Sequence, residues 1–213
     1  MKLIVTRPQH DVTTRYISSW AEEIISFAKK KGVDVFDLFK NKANKLQFEG
    51  RVNKIRPELI FINGHGNDCC VTGHDNLVLV EVDENQHILK DSITYALSCN
   101  SGKELGPKVV ESGGKAYIGY TDEFIFVFDK DYVAKPLDDP KAKPFMEASN
   151  QVMISLLKGN SAEVSSIKSK NKFEENRKSL LSSDADQDSI LAAQFLWWNM
   201  RNQVCLGDMD AKC

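Results

Sequence analysis

Short apolar runs along this chain are separated by longer stretches in which every third or fourth position is apolar. "KLIV" near the start has the length of a buried strand. "TTRYISSWAEEIISFAKKKG" then sets Tyr16, Trp20, Ile24, Ile25 and Phe27 near one helical face, and Gly32 suits a C-terminal cap, so a first helix ending near Lys31 is expected. "VDVFDLF" begins as a second strand, a helical pattern spans about 41 to 55, and "ELIFIN" is a third strand. In "NLVLVEVDENQHILK" apolar and polar residues alternate around Asp83, Glu84 and Asn85, which predicts a small hairpin beside the main sheet.

"SITYALSC" is the expected fourth main strand, "GKELGPKVVESGG" a short helix, "KAYIGY" a fifth strand and "FIFVF" a buried sixth. Strands alternating with helices imply a largely parallel sheet covered on both faces, an α/β fold. Beyond Tyr132 the character changes. "KPLDDPKAKPF" carries Pro136, Pro140 and Pro144 and must be irregular, and helical patterns follow at about 145 to 158, 161 to 181 and 187 to 204. "SLLSSDADQDS" reads as the connection before the last of these, with Asp188 or Ser189 as N-cap. Phe195, Leu196, Trp197 and Trp198 read as packing residues of that helix. The expected organisation is an α/β domain over residues 1–135, with a loop and helical C-terminal extension, 136–213, packed on it.

Composition narrows the function classes. The 213 residues, 42% hydrophobic and 27% charged, suit an ordinary globular protein, and a formal net charge of −2 gives no electrostatic reason to expect nucleic acid as a partner. The apolar run after Lys2 is too short for a signal-peptide core or a membrane span, so a cytoplasmic protein without membrane attachment is expected. Five cysteines, an odd number, then point to reduced thiols rather than a disulfide framework. GxSxG, GxxxxGK[ST] and an early GxGxxG are all missing, which removes serine hydrolases of the α/β type and nucleotide enzymes.

The chemistry concentrates at two strand ends. Ligands of open parallel sheets bind beyond the carboxyl ends of the strands. His65 follows the third strand in "ELIFINGHGNDCC", and Cys99 ends the fourth in "ITYALSCNSG". Neighbouring strands lie about 4.8 Å apart, so an imidazole and a thiol there can meet across a substrate carbonyl. Such a thiol attacks as thiolate while the histidine manages the proton, and the backbone N–H groups of Gly66 and Cys99 can serve as oxyanion donors. Gly64 and Gly66 are expected to flank His65 so that a substrate backbone can approach it.

"ELIFINGHGN", then "ITYALSCNSGKELG", then "GGKAYIGYTDEF" resemble the caspase-like cysteine peptidases of clan CD, nearest to the gingipain-type, separase and CHAT branches. The resemblance covers roughly residues 1 to 135, with the motifs between about 60 and 120. It implies a three-layer αβα domain with a mostly parallel sheet of about six strands, and a thiol protease that hydrolyses peptide bonds without a cofactor. Residue by residue it assigns Cys99 as nucleophile, His65 as base, and the amides of Gly66 and Cys99 as oxyanion hole. Ser98 stands where Ala or Gly is common before the nucleophile. The resemblance also implies a protein or peptide substrate and a regulatory partner.

Three further expectations concern neighbouring residues. Asp122 and Glu123, in the loop after "YIGY", can wall the substrate pocket and favour cleavage after a basic residue, with Asp129 or Asp131 as alternatives. His65, Cys69, Cys70 and His74 place four soft ligands close in sequence, but no CxxC pair is present and Cys99 would go unexplained, so no metal is expected. A caspase-like interaction module with an idle site is the alternative to an enzyme. Retention of both His65 and Cys99 favours the peptidase, with a metal-binding α/β domain behind both.

Overall fold

The computed structural model describes residues 1–181 and 185–213. A six-stranded sheet runs through the molecule in the order β2 (Asp34–Phe39), β1 (Lys2–Arg7), β3 (Leu59–Asn63), β6 (Ile93–Leu97), β7 (Ala116–Tyr120), β8 (Gln203–Gly207). The first five are parallel, and β8 is antiparallel to β7. A separate two-stranded ribbon pairs β4 (Cys70–Thr72) with β5 (Val78–Glu81).

The strands are apolar on both sides because both faces are covered. Successive strand residues point to opposite faces. Leu3, Val5, Leu59, Phe61, Ile93, Tyr95 and Ile118 pack with α1 (Val12–Lys30) and α4 (Lys143–Leu157), while Ile4, Ile60, Ile62, Ala96 and Tyr117 pack with α2 (Lys45–Ile55) and α3 (Leu105–Glu111). Three layers result, as the alternation of strands and helices predicts. The remaining helices, α5 (Ala162–Leu180) and α6 (Gln187–Asn202), carry the chain to β8, with α5 against both α4 and α6. No helix among the described residues is long and apolar enough to cross a membrane.

Three elements differ from expectation. "FIFVF" forms no strand; Phe124 to Phe128 stay half-buried, and the Asn199 side chain accepts from Ile125 N–H at 3.0 Å and donates to its carbonyl at 2.7 Å. One amide thus satisfies what a ladder partner would, and β8 takes the sixth place in the sheet. Gln203 begins β8 instead of extending α6. It is buried, and its amide bonds Ser166 and Ser169 on α5. The hairpin partner of β5 lies before it, at β4, and Asp83 to Asn85 form the turn after it.

In α6 the N-cap is Asp186, whose carboxylate accepts from Ser189 N–H at 2.8 Å; Asp188 and Ser189 are inside the helix. Part of the predicted connection, residues 182–184, lies outside the described residues. Leu196 is buried, but Trp197 is exposed beneath the Arg201 guanidinium. Trp198 donates its indole N–H to the Glu123 carbonyl at 3.1 Å, so α6 also holds the loop after β7.

Candidate active site

The pairing of β3 with β6 runs to Asn63 opposite Leu97. Two residues further on, in the same phase, come His65 and Cys99. The chain is held there by contacts between backbones. A Cβ on Gly64 would lie 1.9 Å from the Thr72 carbonyl oxygen, and one on Gly66 would lie 2.9 Å from the Cys99 carbonyl oxygen and 3.0 Å from that of Cys70. Both glycines are therefore demanded by the close backbones of β4 and of the end of β6, a reason that holds without any approaching substrate. They wedge His65 against the strand end that carries Cys99.

His65 is oriented from a third strand. The loop after β1 ends in Asp11, the N-cap of α1, whose Oδ1 accepts from Thr14 N–H at 2.7 Å. The second oxygen, Oδ2, lies 2.7 Å from His65 Nε2. Burial raises the Asp11 pKa, but the Thr14 N–H and then His65 outweigh it, and the net result is a carboxyl held below its ordinary value. An ionised carboxylate can only accept, so Nε2 donates to it, and in the neutral imidazole Nδ1 then keeps the lone pair. That leaves Nδ1 as the atom of the neutral ring free to accept a proton. The site has a third member that the sequence reading missed. The "HDVTT" turn was its only signal, closing β1 at the same sheet edge.

Cys99 is half-buried. Burial pushes its thiol above the ordinary value, Glu123 and Asp122 add to this, and the Phe124 backbone N–H opposes it. The thiol is accordingly protonated at neutral pH. Among the described residues, neither the Gly66 nor the Cys99 N–H donates a hydrogen bond within the protein. Both have a donor left for a ligand. Ser98 is buried and donates to Ser101 Oγ at 2.8 Å, beneath the site.

Asp122 and Glu123 sit where the chain after β7 passes Cys99. Asn100 N–H donates to the Asp122 carbonyl at 3.1 Å, and the Asp122 carboxylate accepts from Glu123 N–H at 2.8 Å. Asp129 is turned to another task, capping a short turn by accepting from Asp131 N–H at 3.1 Å. Cys69 donates its thiol to Glu104 at 3.0 Å, which is first among the causes that push it up to about 11, and Cys70 is buried at the start of β4. Among the described residues, the groups able to converge on a metal are His10, Asp11, His65 and His10, His74, Asp75; neither includes a cysteine. The cysteine-containing set considered from the sequence does not assemble.

A mostly parallel six-stranded sheet between two helical layers defines a caspase-like α/β fold. Among solved structures the chain is similar to that of the Arg-specific cysteine proteinase gingipain R (RgpB), with a TM-score of 0.62 and 10% identity over 99% of this chain. A complex of the pro- and mature domains of Porphyromonas gingivalis RgpB matches with a TM-score of 0.58 and 11% identity over 99% of this chain. The chain spans about half the length of these structures, 46% and 47%. At such identity the likeness is one of fold. No protein-family profile and no curated protein matches the sequence.

Proposed function

We propose that this chain is a cysteine peptidase in which Cys99 is the nucleophile, His65 the base and Asp11 the residue that positions His65. The observation that carries the reading is the 2.7 Å bond from His65 to Asp11, made at the sheet edge where Cys99 follows the adjacent strand. As Cys99 Sγ attacks the scissile carbonyl carbon, its proton passes to His65 Nδ1 and the C–N bond then breaks with that proton delivered to the leaving amine. The Gly66 and Cys99 N–H groups receive the oxyanion. Water, deprotonated by His65, hydrolyses the thioester and returns the thiol.

Asp122 and Glu123 supply the preference. Both carboxylates act on the Cys99 thiol, so both lie within electrostatic reach of a substrate side chain next to the scissile bond. A substrate Arg or Lys there gains charge-assisted hydrogen bonds. The gingipain R that shares the fold is Arg-specific. The test is a peptide library with Arg, Lys, Asp and Leu compared before the scissile bond, with Cys99→Ala as control. Cleavage after Arg or Lys, abolished in folded Cys99→Ala, is expected. Full activity in Cys99→Ala removes the nucleophile assignment, and a preference for Asp removes the pocket assignment.

A further inference from the structure

His10, next to the positioning carboxylate, has no part in the proposed reaction. Its ring stands 5.9 Å from that of His65 and 5.4 Å from that of His74, centroid to centroid. Its Nε2 is 3.6 Å from Asp11 Oδ2, the same oxygen that receives His65, and 3.2 Å from Asn76 Oδ1. Its Nδ1 is buried and has no hydrogen-bond partner among the described residues.

We propose that His10, Asp11 and His65 form a binding site for a divalent transition cation such as Zn²⁺, and that its occupancy switches the peptidase off. The switching half rests on the peptidase reading above; the binding half does not.

Two imidazoles and one carboxylate are a donor set that zinc accepts, with the fourth position open to water or to the Asn76 amide oxygen. The ligand atoms of the three residues already lie within 4.8 Å of one another. Tetrahedral zinc, with bonds near 2.0–2.1 Å, asks for separations of about 3.3 Å. The widest pair therefore closes by no more than about 1.5 Å, within reach of side-chain torsions. Entry is open on one side, since the His65 and Asp11 side chains are 36% and 39% exposed while His10, at 11%, forms the floor. His10 sacrifices no bond at Nδ1 when Nε2 exchanges its proton for a cation.

The neighbouring group of His10, His74 and Asp75 is the weaker host. Gln9 N–H donates to His74 Nδ1 at 3.2 Å, which keeps the proton of that ring on Nε2, the atom facing Asp75. Binding there must first break that bond.

The inhibitory effect follows from the tautomer. A cation on His65 Nε2 displaces the proton to Nδ1, and Asp11 turns from His65 to the metal. The lone pair that would take the Cys99 proton is then gone.

The experiment titrates the full chain with Zn²⁺ against a chromogenic chelator, with Co²⁺ absorption as a second probe. One equivalent is expected to bind. His10→Ala and the polar His10→Gln, each checked for fold by circular dichroism, should raise Kd at least about tenfold, as losing even an indirect partner of a metal does. His74→Ala and Cys99→Ala should bind as the unmodified chain does. No binding, an unchanged Kd in both His10 variants, or loss of binding in Cys99→Ala overturns the site. On a cleaved peptide, stoichiometric Zn²⁺ should stop turnover, a chelator should restore it, and His10→Gln should need at least tenfold more zinc. Full turnover by the saturated protein overturns the switch. Absence of any peptide cleavage overturns the peptidase reading instead, and the titration still decides the site.

Discussion

Asp11 performs two tasks with two different oxygens, and one pair of substitutions separates them. Oδ1 caps α1 through Thr14 N–H, and Oδ2 holds His65 Nε2. In Asp11→Asn the single amide oxygen stays with the Thr14 N–H, because an N-cap must accept. The NH₂ group then faces His65 and can only donate, so Nε2 must become the acceptor and the proton moves to Nδ1. Asparagine caps as well as aspartate, so stability should change by less than about 0.5 kcal/mol. Turnover should fall by about 10⁴-fold, the scale seen when a carboxylate-to-amide change imposes the wrong histidine tautomer in a serine protease triad. Asp11→Ala removes the cap, which costs about 1 kcal/mol and lowers Tm by about 2–4 °C in a chain of this length. It leaves His65 free to sample both tautomers, so its loss of activity should be smaller. The measurements are kcat/KM on the best library substrate and thermal unfolding of both variants. Alanine should be the less stable and asparagine the less active. An asparagine variant as active as the unmodified chain, or more active than alanine, refutes the tautomer argument.

Other outcomes follow from the same geometry. His65→Ala should lower turnover by at least about 10²-fold, the usual contribution of general acid–base catalysis, measured by kcat on the same substrate. Iodoacetamide should alkylate Cys99 about tenfold faster per pH unit between pH 6 and 8, because a raised thiol pKa keeps thiolate a minor species throughout that window. A plateau reached below pH 7 would instead mean a preformed thiolate–imidazolium pair. Gly64→Ala places a Cβ against the Thr72 carbonyl and should cost about 1–3 kcal/mol, a fall in Tm of about 2–12 °C. Unchanged unfolding in that variant would show that the β4 carbonyl moves aside freely.

The two strand-end residues were legible because they depend on periods that the sequence displays. Apolar runs of strand length mark β3 and β6, and His65 and Cys99 follow each run at its carboxyl end. That they lie at one edge of the sheet then needs only that the two strands be neighbours, which the pairing provides. Asp11 was hidden for the opposite reason. Its contact with His65 spans 54 residues, and its local signature is that of a helix cap, with Thr14 completing a capping box. One side chain satisfies both demands, and the local one is all a linear reading can see. The glycines stood out in the sequence, but their close packing against carbonyls of β4 and β6 did not, because it leaves no mark in their own neighbourhood. "FIFVF" and "QVCLG" exchanged roles because an apolar run is evidence of burial, whereas the edge strand is set by Gln203 finding partners on α5.

Two sets of carboxylates act on the site in opposite directions. Asp11 holds His65 in the tautomer that can take a proton, from the β1 side of the sheet. Burial is the main cause that raises the Cys99 thiol, and Asp122 and Glu123, from the β7 side, add to it. The Cys99 thiol is therefore protonated in the resting protein. On the proposed mechanism its thiolate forms as a substrate carbonyl arrives to receive it. On the proposed reading, a basic substrate side chain seated between Asp122 and Glu123 would neutralise their part of the field that opposes thiolate formation, so the group that gives such a substrate its affinity would also lower its barrier to attack. A substrate without that charge leaves the thiol in its protonated state. Selectivity between Arg and Leu substrates then belongs in kcat as well as in KM, because the pocket charge acts on the reacting sulfur and not only on the bound side chain.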